Sequence, residues 1–335
     1  MERGTALVLG ATGGIGGETA AALLRRGWKL RALARDPARA AAQWPAHTAR
    51  PAWVAGDAMD AESVVSAARG ASLIVHAVNP PGYRDWDRLV MPMLDSTLRA
   101  AEATGARIVL PGTVYNYGPD AFPDLAEDSP QHPVTRKGAI RVQMEQRLQE
   151  AARRGVRTLV VRAGDFFGPR AGNSWFSQGL VKPGRPITSI ADPAARGVGH
   201  QWAYLPDVAE TIAQLVEREG ALADFDTFHM GGHWDADGTQ MQAAIRRASG
   251  VLELPVRRFP WWLATLASPL VPVFRELREM RYLWQRPVRL VNTRLLAVLG
   301  HEPHTPLDAA VGATLEALGC LRPPSPQARA LRNIR

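Results

Sequence analysis

The chain has a single cysteine, Cys320, among its 335 residues. No intrachain disulfide can form, and a reducing compartment is expected. Lysine is nearly as scarce: Lys29, Lys137 and Lys182 are the only three, so arginine carries the basic excess. No compact Arg/Lys block with interleaved aromatics occurs, and the net charge of +8 is spread along the chain. That pattern favours anionic small ligands and argues against a nucleic-acid partner. Long apolar runs are missing too. The longest charge-free stretch, Phe259–Phe274, carries three prolines; it is too short to span a bilayer and reads as core or pocket wall. Met1-Glu-Arg-Gly4 leads straight into a strand pattern with no apolar targeting segment, so no signal peptide, no membrane partner and a cytoplasmic location are expected. There is no G-x-S-x-G elbow, and no second histidine or cysteine lies at metal-ligand spacing from the lone His200, so neither a serine hydrolase nor a metal site is expected.

What is present begins with glycine. Leu7-Val-Leu-Gly10-Ala-Thr12-Gly13-Gly14-Ile15-Gly16 places an apolar strand directly before a glycine turn, and Glu18–Arg26 behind it has helix-forming composition. Glycines at 10, 13 and 16 allow a tight turn, close approach of backbone to a pyrophosphate and close packing of helix on strand. The helix N-terminus then faces the phosphate charge. Thr12, Gly14 and Ile15 fall in the same turn and are expected to contact the dinucleotide.

The strand–helix alternation continues. Trp28–Ala34, Ala52–Asp57, Ala71–Val78, Arg107–Leu110 and Arg157–Arg162 read as strands, separated by helical segments such as Ala61–Arg69 (capped by Asp60) and Leu89–Thr104 (closed by Gly105). Strands joined by helices imply right-handed crossovers and a doubly wound parallel α/β sheet. Ligands bind beyond the carboxyl ends of such strands. Arg35 ends the second strand, where an arginine suits a 2′-phosphate and an acid suits a ribose hydroxyl, so NADP is favoured over NAD. Asp36 follows it and could cap the next helix or touch the ribose. Asp57 and Ala58 fall beside the expected adenine site, and Ala77, Val78 and Asn79 beside the nicotinamide ribose.

By Gly118 the chain resembles the extended or atypical short-chain dehydrogenase/reductase superfamily, the group that includes NAD-dependent epimerases and dehydratases. The matching pieces are Gly10–Gly16, Gly56-Asp57, Thr113-Val-Tyr115-Asn-Tyr117-Gly118, Val161–Pro169 and Tyr204–Ala209. The resemblance implies a Rossmann-type sheet with a smaller, mostly C-terminal substrate lobe. It also implies that Thr113 holds a substrate oxygen and that the segment after Arg162 covers the nicotinamide and substrate. Asp165, Phe166 and Phe167 are therefore candidate pocket residues, and Trp175, His200 and Trp202 join them from the same lobe.

One signature departs from the family. Members carry Tyr-x-x-x-Lys with a glutamate four residues on; aligned on Glu145, this chain has Lys137 for the tyrosine and Arg141 for the lysine. Spacing of four keeps both on one helix face. Arg141 can hold the ribose but cannot titrate. Lys137, beside another cation, is a candidate proton donor, with cofactor phosphate or an anionic substrate as its alternative partner. Tyr115 is a further candidate donor, while Tyr117 is read as structural.

The expected division is a cofactor domain over 1–165, completed by parts of 200–232; a substrate lobe over 166–200 and 233–321; and a loose tail over 322–335. Asp207 is expected to cap 207–217, and Thr305 to cap the last helix with Pro306 at its first position. Three functions fit. The first is an NADPH-dependent oxidoreductase acting on a small carbonyl-type compound. The second is a catalytically silent NADP-binding sensor, and the third a sugar-nucleotide epimerase or dehydratase. A homodimer is compatible with the sequence but not fixed by it.

Overall fold

A computed structural model describes residues 4–46, 48–80, 85–172, 174–268 and 278–322. The tail from Pro323, the segment 269–277 and Asn173 lie outside the described residues. The first half runs β1 (Thr5–Leu9), α1 (Gly14–Arg25), β2 (Lys29–Ala34), α2 (Pro37–Gln43), β3 (Ala52–Ala55), α3 (Ala61–Ala68), β4 (Ala71–His76), α4 (Trp86–Thr104) and β5 (Arg107–Gly112). It continues through β6 (Asp124–Leu125), α5 (Arg136–Ala152), β7 (Thr158–Arg162), β8 (Asp165–Phe167), β9 (Ile190–Asp192), β10 (His200–Tyr204) and α6 (Leu205–Val216). The last described elements are β11 (Phe225–His229), β12 (His233–Asp235), α7 (Thr239–Ser249), β13 (Val256–Arg258), α8 (Trp261–Ala267), β14 (Arg289–Leu290), α9 (Thr293–Leu299) and α10 (Leu307–Ala317).

Seven strands form one sheet in the order β11-β7-β5-β4-β1-β2-β3, and every pairing in it is parallel. Both faces are covered, as near-continuous apolar strands require. Ala6, Val8, Leu73, Val75, Leu159 and Val161 pack toward α1 and α6. The alternate residues Leu7, Leu9, Ile74, Ile108 and Val160 pack toward α3, α4 and α5. Leu23 of α1 is fully buried; truncation there to alanine would cost about 2–5 kcal/mol. A second, smaller sheet, β12-β10-β8, backs an aromatic core that includes Phe167, Phe176, Trp202 and Trp284.

Four local expectations change. Helix α1 begins at Gly14, earlier than its composition suggests, because the glycines are already in its first turn. Tyr204 rather than Asp207 is the N-cap of α6. Asp207 instead accepts from the backbone N–H and the hydroxyl of Thr305, each at 2.7 Å. Thr305 is thus committed to that carboxylate, and Pro306 occupies the N-cap of α10. The reading of Phe259–Phe274 as core or pocket wall also fails for part of α8, because Trp262 and Leu266 are 69% and 73% exposed. Only one side of that helix meets the aromatic core, where Trp261 packs on Trp175 and Phe259.

Candidate active site

Because the seven strands are parallel, the residues that follow β1, β2, β4, β5 and β7 line one edge of the sheet. At its centre is the glycine turn. Gly10 has φ +88°, a conformation open to glycine, and a Cβ there would lie 2.5 Å from the Ala77 carbonyl oxygen. A Cβ on Gly16 would lie 2.3 Å from the Gly10 oxygen. These contacts seat α1 against the ends of β1 and β4. Gly13 is the N-cap of α1 and has no side chain to accept from the first-turn N–H groups, which lie at a positive dipole end. Gly13 is exposed and its missing Cβ faces open space apart from the Gly10 oxygen at 3.3 Å. The turn fits a dinucleotide pyrophosphate. Thr12 is exposed and Ile15 half-buried beside it.

Arg35 and Asp36 are exposed at the end of β2. Asp36 is occupied locally: it caps α2 by accepting from the Arg39 N–H at 3.0 Å. Arg35 remains the group able to reach outward. Asp57 is exposed and closes its own turn, accepting from Met59 N–H at 3.0 Å; Ala58 is half-buried next to it. Ala77 and Val78 are half-buried and Asn79 exposed at the end of β4.

Thr113 follows β5 directly, and its hydroxyl oxygen accepts from the Tyr115 N–H at 3.1 Å. The hydroxyl proton remains able to donate to a ligand oxygen. The first turn of α5 packs against this segment, since a Cβ on Gly138 would meet the Tyr115 carbonyl oxygen at 2.2 Å. Lys137 and Arg141 share a helix face and are buried, at 5% and 8% exposure. Lys137 Nζ lies 5.9 Å and Arg141 Cζ 5.2 Å from the Trp86 ring centroid. His76, at the end of β4, is held through Nδ1 by the Thr97 hydroxyl at 2.8 Å. Burial, followed by the charge of Arg141, pushes this imidazole down to about 3, so it is neutral.

The other polar cluster joins the candidates after β7. Tyr115 donates its phenol to Asp165 Oδ1 at 3.4 Å, and Asp165 Oδ2 accepts from His200 Nε2 at 2.9 Å. His200 stacks face to face on Trp284, with centroids 3.8 Å apart and planes 6° apart. Phe166 is half-buried beside Asp165. Phe167 and Trp202 lie inside the aromatic core and back the site rather than line it. Trp175 is also buried, 5.1 Å from Trp284.

Sequence reasoning missed four residues that shape this edge. Arg162, 2% exposed, donates to both oxygens of Glu145, to the Tyr117 hydroxyl and to the Glu127 carbonyl at 3.2 Å. It is level with Gly112 and His229 across the sheet, and Gly112 makes room for it: a Cβ there would meet Arg162 Cγ at 2.6 Å. An arginine closing an otherwise apolar strand was the available signal. His229 donates from Nδ1 to the Leu125 carbonyl at 3.0 Å, leaving Nε2 to accept. Burial, then Arg162, pushes its imidazole down to about 3, and burial pushes the Tyr117 phenol up. Tyr117 is therefore a structural donor. Arg170, in the loop leaving β8, lies over α1: its Nε is 3.4 Å from Glu18 Oε1 and its Cζ 4.6 Å from the Trp44 ring. Trp284, the fourth, carries no polar signature in the sequence.

Among the described residues no group of His, Cys, Asp and Glu is arranged to hold a metal ion, and no helix is long and apolar enough to cross a membrane.

Comparison with known proteins agrees with the cradle. Residues 10–168 match the NAD(P)H-binding family. A 3-diazoavenalumate denitrifying reductase from a Streptomyces species is 30% identical over 181 residues, which is 50% of this chain and 57% of that protein. A UDP-glucose-4-epimerase from Stenotrophomonas maltophila, solved with bound NAD and formylated UDP-arabinopyranose, aligns with a TM-score of 0.72. The alignment covers 99% of this chain and 100% of that one at 14% identity. MoeE5 in complex with UDP-glucose and NAD aligns at 0.68, covering 94% and 98% at 18% identity. Residues 10–168 are thus similar to the NAD(P)H-binding family, and the chain has the Rossmann-type fold of the NAD-bound epimerase and MoeE5 structures with which it aligns.

Proposed function

We propose that the protein is an NADPH-dependent oxidoreductase that reduces a small carbonyl-type compound. The observation that carries this reading is the shared edge: the glycine-capped N-terminus of α1 and the hydroxyls of Thr113 and Tyr115 lie beyond the carboxyl ends of one parallel sheet. The bound reduced nicotinamide supplies a hydride. The chain's own groups supply the rest: the α1 N-terminus holds the pyrophosphate, Thr113 donates to the substrate oxygen, and Tyr115 stands two residues away as proton donor. Lys137 and Arg141, buried beside Trp86 on one face of α5, would supply positive charge to hold the nicotinamide ribose. Arg35 supports NADP over NAD, because the neighbouring acid is engaged in capping α2.

The relative described as a denitrifying reductase also favours delivery of hydride to an external compound over epimerisation. Incubating the protein with NADPH and a panel of aldehydes, ketones, enones and imines tests the proposal by loss of nicotinamide absorbance. Tight NADPH binding without oxidation of any member of the panel would instead identify a sensor.

A further inference from the structure

We infer that Tyr115, Asp165 and His200 form a proton-delivery chain that takes over the task of the absent Tyr-x-x-x-Lys pair. This rests on the reductase reading above. The three residues come from separate parts of the chain, the segment after β5, the start of β8 and the start of β10, yet their polar atoms connect in series. Tyr115 Oη lies 3.4 Å from one carboxylate oxygen of Asp165, and His200 Nε2 lies 2.9 Å from the other. The pairing of β8 with β10 fixes this, since Trp202 sits level with Asp165 and places His200 two residues before it.

Burial is graded along the series. His200 and Asp165 are both buried, whereas Tyr115 is half-buried and is the member that meets a ligand. Behind His200 the Trp284 indole is stacked at 3.8 Å. The Asp165 carboxylate on one side and the indole face on the other hold the ring with Nε2 aimed at Oδ2. Tyr282 also faces Asp165; burial, then the charge of Asp165, pushes its phenol up, so it stays protonated and donates to the Tyr117 carbonyl at 3.3 Å.

The step balances as follows. Hydride addition forms the new C–H bond and sends the C=O π pair onto oxygen, where Thr113 holds it. Tyr115 turns its O–H from Asp165 Oδ1 and gives that proton to the alkoxide. His200 Nε2 passes a proton to Oδ2 of the Asp165 carboxylate, the carboxylic acid so formed turns about Cβ–Cγ and gives that proton to the phenolate, and His200 regains one from solvent once product departs. The proton enters the chain at His200. Tyr115 touches the substrate and is the catalytic residue; Asp165 and His200 act through it as positioning residues.

The test has two arms, both on the full chain. In the first, proton NMR locates the downfield Nε2–H of His200, assigned by its absence in His200→Gln. The chain requires that Asp165→Asn abolish this resonance and that Tyr115→Phe displace it, because the carboxylate then loses one donor. A resonance unmoved in Tyr115→Phe overturns the proposal. The second arm follows NADPH oxidation with the carbonyl panel. Tyr115→Phe should lose about 100-fold or more in kcat with NADPH affinity unchanged. His200→Gln should lose about tenfold in kcat at constant KM, a split that a packing defect would not give. A fully active Tyr115→Phe also overturns the proposal. If the wild-type protein oxidises no NADPH while the resonance is coupled, the reductase reading falls and the hydrogen-bonded chain stands.

Discussion

Arg162 and Glu145 meet side on inside the protein, Nε 3.1 Å from Oε1 and Nη2 against Oε2, with both side chains almost wholly buried. The pair pins α5, which carries Lys137 and Arg141, to the end of β7. Replacing one partner leaves a buried charge without its counter-ion, so Arg162→Met should destabilise the fold by about 3–5 kcal/mol. The double variant Glu145→Met with Arg162→Met should lose less than either single change. Urea denaturation of the three variants checks the order.

Gly16→Ala should cripple cofactor binding. Its methyl would meet the Gly10 carbonyl oxygen at 2.3 Å, and neither backbone can yield without tilting α1 away from the turn. A drop of about tenfold or more in NADPH affinity, about 1.4 kcal/mol, is expected in a fluorescence titration, with the far-ultraviolet spectrum retained.

Arg35→Ala should separate the two cofactors. A charge-assisted contact to a 2′-phosphate contributes about 1.5–3 kcal/mol, so NADPH affinity should fall by roughly tenfold or more while NADH affinity stays level. Equal losses for both would remove Arg35 from 2′-phosphate recognition.

Stability should decline on mild acidification. His76 and His229 each have an ordinary value of 6.5 that burial lowers to about 3 in the folded protein. Between those values the unfolded chain binds protons that the folded one refuses, so stability is full above about 6.5 and is lost as pH falls toward about 3. Each group contributes a slope of at most about 1.4 kcal/mol per pH unit. Urea midpoints measured from pH 7 to pH 4 should fall steadily, and His229→Gln should flatten the slope if it folds.

Local pattern made much of this molecule readable. The apolar strands and the Asp60 cap of α3 follow from short-range chemistry. The glycine turn was legible because its requirement is local backbone space. The rest depends on residues far apart in sequence. Tyr115 and Asp165 are separated by 50 positions and Asp165 and His200 by 35, and no periodicity announces that they converge. Asp207 has the composition of a helix cap, but a hydroxyl and an N–H 98 residues away claim it. Trp284 reads as ordinary core until it lies flat on His200.

Arg170 has a consequence for how two ligands would influence one another. It belongs to the loop leaving β8, yet its cation rests against Glu18 of α1 and the Trp44 ring at the end of α2. A Cβ on Gly14 would meet the Arg170 carbonyl oxygen at 2.9 Å, so the backbone of that loop also touches the first turn of α1. Under the proposed function, one residue would thus bridge the helix that binds the dinucleotide and the loop that follows the substrate-pocket candidates of β8. Linkage through such a bridge is reciprocal: whatever factor cofactor occupancy applies to substrate affinity, substrate occupancy returns to the cofactor.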